Sequence, residues 1–295
     1  MTVAFDTPIA SPAAGPVPAW HAELRLRFET RGGQTRAAER RHSGPLRIQK
    51  LLYPQGPTCC HGLLLHPPGG IAGGDQLRLD IRLGDQAHVL LTTPGAGKWY
   101  RSVYAEALQT IHLELEGRSC LEWLPQETLL FQGARARQRL QVSLDRDSRW
   151  LSWDIVQLGR LAAGEHWSQG RWAQQIRIQR EGLDVWREQA EFEADAGLRH
   201  SPLGLAGHAV FATIWVCGPQ LTAAPEAALA AARGVVPEAG TLFAATWLQA
   251  PAELLVIRVL GHDCSRVRSL CERLWHTMRP WICELPPQRP RIWNT

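Results

Sequence analysis

No Cys-x-x-Cys pair occurs in the 295 residues, and the seven cysteines (Cys59, Cys60, Cys120, Cys217, Cys264, Cys271 and Cys283) are odd in number and irregularly spaced. That argues against a disulfide framework and against a local structural zinc site. No stretch of about eighteen uncharged apolar residues is present, so no membrane span is expected. The N-terminus has neither a basic start nor a long apolar run, so no signal peptide is expected, and the cytoplasm follows by elimination. Gly-x-Ser-x-Gly and His-Glu-x-x-His are both missing, which removes the commonest nucleophile elbow and zinc-hydrolase signals. Gly95-Ala96-Gly97-Lys98 resembles the end of a phosphate-binding loop, but one residue separates its glycines and Trp99 follows the lysine. The spacing and the Mg²⁺-holding hydroxyl are both wrong, and a turn is the better reading. Charge is also unremarkable, with 20% charged residues and a net charge of +4. The densest basic cluster, Arg36, Arg40 and Arg41, is short and has no interleaved aromatics, so no nucleic-acid partner is expected. Tyrosine is scarce at three residues, whereas there are thirteen tryptophans. Such rings serve either a broad core or an interface.

What the chain does have is alternation. Leu24, Leu26 and Phe28 point one way while Glu23, Arg25 and Arg27 point the other, as in a strand with one buried face. Leu77 to Leu83, Ile111 to Leu115, Leu140 to Leu144 and Ile176 to Ile178 repeat the pattern. The continuous apolar runs Val89 to Leu91 and Leu254 to Ile257 read as strands buried on both faces. Gly, Pro, Asp and Asn punctuate these segments at short intervals, which predicts a mainly β architecture and leaves sandwich, barrel and irregular β-helix open. Two late helices are expected, over about 223–233 and 263–278, the second capped by Asp263 and carrying Val267, Leu270, Cys271, Leu274 and Met278 at helical spacing. Residues 1–19 read as a flexible Pro/Ala-rich leader, and 20–295 as a single β-rich domain.

Two stretches offer chemistry. Cys59-Cys60-His61 and His66 include soft ligands suited to late divalent metals, but His61 and His66 lie five residues apart on an expected strand and so face opposite sides. The run His66-Pro67-Pro68-Gly69-Gly70-Ile71-Ala72-Gly73-Gly74-Asp75 is a tightly shaped loop ending in a carboxylate. Asp75 either bonds backbone N–H groups of the turn or stands at an opening.

Gly44-Pro45-Leu46-Arg47, Tyr53-Pro54, Cys60-His61 and Leu64-Leu65-His66-Pro67-Pro68-Gly69-Gly70, ending in Gly73-Gly74-Asp75, resemble the urease accessory protein UreD (UreH) family. The resemblance continues through Thr93-Pro94-Gly95-Ala96, Tyr100-Arg101-Ser102, Leu121-Glu122-Trp123-Leu124-Pro125-Gln126-Glu127, Leu158-Gly159-Arg160 and the closing Pro290-Arg291-Ile292-Trp293-Asn294-Thr295. It covers roughly Leu24 to Thr295. Trp99 stands where Phe is usual, Leu161 where Pro is usual, and Gln157 where Cys is common. The resemblance implies an irregular β-helix-like body with a small C-terminal helical segment and no catalytic activity. It implies a cytoplasmic partnership with UreF, with UreG through UreF, and with apo-urease, and support of nickel insertion through an internal tunnel. Asp75 then matches one acidic tunnel residue and Glu188 a second. His66 is a further candidate on the path.

A conduit must release what it holds. Isolated carboxylates with water suit transient Ni²⁺ better than a closed set of thiolates and imidazoles, so no tightly bound cofactor is expected. Trp281, Ile282 and Trp293 are candidates for partner binding if exposed, and otherwise pack the C-terminal segment onto the body. The alternative from another class is a β-helical carbohydrate-active hydrolase using Glu122 and Glu127, whose five-residue spacing sets them on opposite faces of a strand.

Overall fold

Leu79, Ile111, Leu140 and Ile176 lie side by side in register, and so do Ile81, Leu113, Val142 and Ile178. The alternation read from the sequence therefore becomes a set of apolar ladders, each buried side chain contributing about 1.5–3 kcal/mol. A computed structural model of the chain describes residues 19–103 and 105–294. All but the last residue of the expected 1–19 leader lies outside them.

The ladders belong to an outer seven-stranded sheet. Its order is Leu183–Glu193, Arg171–Arg180, Arg135–Leu144, Ala107–Leu115, Gln76–Leu83, His21–Arg31 and Gln34–Ser43. The middle five strands are parallel and the two edges antiparallel. A second, central sheet runs through Thr241–Leu248, Leu254–Gly261, Val210–Cys217, Arg149–Arg160, Cys120–Leu124, His88–Thr92, Cys59–Leu65 and Arg47–Ile48. The chain passes alternately between the two. Cys59–Leu65 leads to Gln76–Leu83, His88–Thr92 to Ala107–Leu115, Cys120–Leu124 to Arg135–Leu144, and Arg149–Arg160 to Arg171–Arg180. Four successive coils stacked in parallel form a β-helix, which decides among the architectures left open by the sequence.

All five residues of His88–Thr92 and of Cys120–Leu124 are buried, because the central sheet is covered twice. One face meets the outer sheet; the other meets three helices, α1 (Pro219–Ala223), α2 (Pro225–Arg233) and α3 (Cys264–Met278). The single helix expected over 223–233 is split at Ala224, whose φ of −145° and ψ of 61° are non-helical. The following Pro225 disfavours α geometry at the residue before it and starts the next helix. The 263–278 expectation matches α3, where the Asp263 carboxylate accepts from Ser265 N at 2.8 Å and Arg266 N at 3.2 Å. Val267, Leu270, Cys271, Leu274 and Met278 of α3 are all buried against the sheet. No helix among the described residues is long and apolar enough to cross a membrane.

Candidate functional site

One inward-facing rung of the β-helix is polar. Gln109, Gln138 and Gln174 occupy the same register on three adjacent strands of the outer sheet, each two residues before the Ile111–Leu140–Ile176 ladder. Directly across the interior, Asp154 of the central sheet pairs in register with Thr213, and Thr213 with Arg258. Gln174 Nε2 donates to Gln138 Oε1 at 2.8 Å and also to the Asp154 carboxylate, so it joins the two sheets. A buried amide without a partner would cost about 1–3 kcal/mol, and Gln138, Gln174 and Asp154 satisfy one another. Burial, and secondarily the charge of Glu188, push the Asp154 carboxyl up to about 6, against the opposing hydrogen bonds from Gln174 and Gln138.

Beside this row lies a cavity of about 310 Å³ between the sheets, lined among others by Gln109, Gln138, Asp154, Thr128 and His66. Its rim includes the exposed residues Pro94, Gly95, Gly97 and Lys98. Gly95 and Lys98 thus form a bend and a short strand at a cavity mouth, not a phosphate cradle at a helix start. His66 reaches the cavity from the end of Cys59–Leu65, and its Nε2 is buried with no hydrogen-bond partner. Burial lowers the His66 pKa, with the nearby Asp75 charge opposing the shift. The ring therefore stays neutral at pH 7 and keeps a nitrogen available to an incoming ion.

Asp75 is 2% exposed. Its Oδ1 accepts from Trp20 N and its Oδ2 from Ala72 N, each at 2.8 Å. Both oxygens are therefore committed to backbone donors, one in the loop and one just before His21–Arg31. The glycines explain the loop's shape: a side chain at Gly70 would collide with the Tyr100 ring, and Gly74 has a φ of +89°. Glu188 stands elsewhere, on the outer sheet's edge strand, where Oε1 and Oε2 take both terminal nitrogens of Arg258 at 2.9 and 2.8 Å. No hydrogen bond or ion pair among the described residues joins Asp75 to Glu188. The structure instead brings Glu188 close to Asp154. Asp154 and the glutamine row went unnoticed in the sequence, although Gln-x-Ile/Leu-x-Leu/Val/Ile recurs at 109, 138 and 174.

On the opposite face of the central sheet, Glu122 has no exposed surface. Its Oε2 accepts from Trp275 Nε1 and Arg279 Nε, both at 2.8 Å, and its Oε1 from Arg279 Nη2 at 3.0 Å. Burial would raise this carboxyl, but the His88 hydrogen bond and the Arg279 charge hold it down at about 2. Glu127 instead faces Arg268 at 3.6 Å. Neither carboxylate lines the cavity, so the two do not form an acid–base pair across a cleft. His61 and His66 do face opposite sides: His61 lines a separate cleft under the C-terminal tail, while His66 lines the interior. Of the three C-terminal candidates for partner contact, Ile282 is fully buried and Trp293 is 8% exposed. Trp293 packs tilted against Trp153 and edge-on against Trp275, and its Nε1 donates to Thr92 Oγ1 at 2.8 Å. These two hold the segment onto the sheet and offer no exposed apolar surface; Trp281 is half-buried.

A family model described as UreD urease accessory protein matches residues 21–294. A urease accessory protein UreD of Dechloromonas aromatica is 44% identical over 98% of both chains. One of Pseudomonas aeruginosa is 42% identical over 94% of this chain and 96% of its own, and one of Methylobacillus flagellatus 40% identical over 94% and 95%. The inward carboxylate, the polar rung and the loop closed by Asp75 are thus features of a chain that belongs to the UreD family of urease accessory proteins.

Proposed function

We propose that this chain is a non-catalytic urease maturation factor that passes Ni²⁺ along the polar cleft between its two sheets. The observation that carries the reading is Asp154, a single carboxylate set among neutral amides at the edge of the cavity. One carboxylate and several amide oxygens offer charge and hard donors without a closed coordination shell, so an ion is held weakly and released. Glu188 extends the acidic stretch towards the strand edge, and His66 supplies a nitrogen nearer the mouth. Asp75 contributes by fixing the mouth's loop. In this reading the chain works in the cytoplasm, binds UreF and, through it, UreG, and docks on apo-urease. Trp281 is the one C-terminal candidate with surface left to give a partner.

The test is reconstitution. Urease is co-expressed with its accessory set, with this chain present or omitted, and its activity and nickel content are measured alongside a UreF pull-down. Expected is active, nickel-loaded urease only when the chain is present and UreF is retained. Full activation in its absence, or no association with UreF, overturns the reading. The carbohydrate-hydrolase alternative draws no support from the geometry, since Glu122 is locked by Arg279, Trp275 and His88.

A further inference from the structure

Cys59, His88 and Glu122 come from three neighbouring strands of the central sheet, on the face turned towards α3, and all three are buried. Cys59 and Cys120 both sit in register with His88, and Glu122 lies two residues beyond Cys120 on the same side. Cys59 Sγ is 3.6 Å from His88 Nε2, and His88 Nε2 is 3.1 Å from Glu122 Oε1. All three atoms lie within 4.8 Å of one another. A tetrahedral zinc ion, with bonds of about 2.3 Å to sulfur and about 2.0 Å to nitrogen and oxygen, sets S and N about 3.5 Å apart and N and O about 3.3 Å apart. The Cys59–His88 and His88–Glu122 pairs already stand at nearly those separations, and the third pair lies within 4.8 Å.

We propose that Cys59, His88 and Glu122 form a binding site for a soft divalent cation of the Zn²⁺ class, on the opposite face of the central sheet from the Asp154 cavity. The supporting shell is in place. Glu122 Oε2 is held by Trp275 Nε1 and Arg279 Nε, the kind of outer hydrogen bonding that orients a ligating carboxylate. Arg279 opposes the ion's charge, but it also donates to Gln55 Oε1 and to the carbonyl of Pro286, so its charge is not set against Glu122 alone. Binding replaces the His88 Nε2 contacts with metal bonds, the Nε2 proton passing to Nδ1 or to solvent, and releases the Cys59 thiol proton to solvent. A cleft opens beside the site. His61, on the same strand and same side as Cys59, lines the cleft beneath residues 288–292, and its Nε2 is buried without a hydrogen-bond partner. It is an unengaged donor two residues from Cys59 on the same strand, placed to pass an ion inward or complete the fourth position. Local spacing gave no sign of this site, because its ligands are 29 and 34 positions apart.

The site is independent of nickel transfer, and the test keeps the two separate. The full chain is titrated with Co²⁺ as a spectroscopic stand-in, then with Zn²⁺ in competition. Expected is one equivalent of Co²⁺ giving tetrahedral ligand-field bands and a thiolate-to-cobalt charge-transfer band, all removed by Zn²⁺. C59S should abolish the charge-transfer band, while C60S and the cavity variant D154N should leave it intact. H88Q should weaken binding by about tenfold or more. Circular dichroism of C59S and H88Q separates lost folding from lost ligation. If C59S does not fold, retention of the full band and affinity in folded H88Q overturns the site. So does absence of a thiolate band in the parent protein, or its persistence in C59S.

Discussion

Arg279 Nε lies 2.8 Å from Glu122 Oε2, and neither side chain has any exposed surface. The ion pair spans 157 positions of sequence and ties the end of α3 to the middle of the central sheet. Removing one partner leaves the other charged in a dry interior, which costs about 3–5 kcal/mol. E122A and R279A are each expected to lower unfolding stability in denaturant by that order, with the double variant losing less than the sum of the two. A loss below about 1 kcal/mol in E122A would mean that water or another group compensates Arg279.

The outer-sheet strands were legible because each buries one face, and period two records that directly, while the choice of a β-helix over a sandwich or barrel was not. Leu79, Ile111, Leu140 and Ile176 could be read as inward residues one strand at a time. What could not be read was which strands adjoin. The loops between coils differ in length, so the recurrence of Gln109, Gln138 and Gln174 two places before each ladder was hidden as a repeat. Asp154 was hidden for a related reason. It sits in the run Trp153-Asp154-Ile155-Val156, buried on both sides of the sheet, where alternation carries no signal. The Asp75 loop announced itself through Pro and Gly, but only coordinates show both carboxylate oxygens spent on Trp20 N and Ala72 N.

Asp154 makes stability depend on pH in a stated direction. Its folded pKa is raised to about 6, so the folded state holds this proton more tightly than the unfolded chain. The contribution is full below the ordinary aspartate pKa and is lost as pH rises through about 6. At about 1.4 kcal/mol per pKa unit, and allowing for partial solvation, ionised Asp154 costs on the order of 2 kcal/mol above that range. The groups facing it are Gln138 and Gln174 from the outer sheet and Glu188 paired with Arg258. D154N should unfold at higher denaturant than the parent at about pH 7.5, and the gap should narrow at about pH 4.5. An equal gap at both values would remove Asp154 as the source.

Asp75→Ala deletes two acceptors at once. Trp20 N and Ala72 N would then lack their carboxylate partners, each at about 1–3 kcal/mol if left dry. D75A is expected to melt earlier and to be nicked by protease within the 66–75 loop, whereas D75N should retain part of the stability. Any loss of urease activation in D75A that merely tracks its folded fraction then belongs to the loop. A loss seen at full folding would place a role on the carboxylate itself.

The conduit reading is decided at limiting nickel. A lone carboxylate raises the local cation concentration in the cavity without trapping the ion, so D154A should lower urease activity and nickel content several-fold while UreF still co-purifies. Excess nickel should restore part of the loss, because supply then replaces local enrichment. Glu188→Gln acts through its partner: Arg258 is freed of its bidentate carboxylate and sets an unbalanced cation beside Asp154 and Thr213. It too should slow delivery, and D154A/E188Q should be little worse than the poorer single variant if both residues act on one path. Two folded single variants that fully activate urease at limiting nickel would remove the acidic pair from the route.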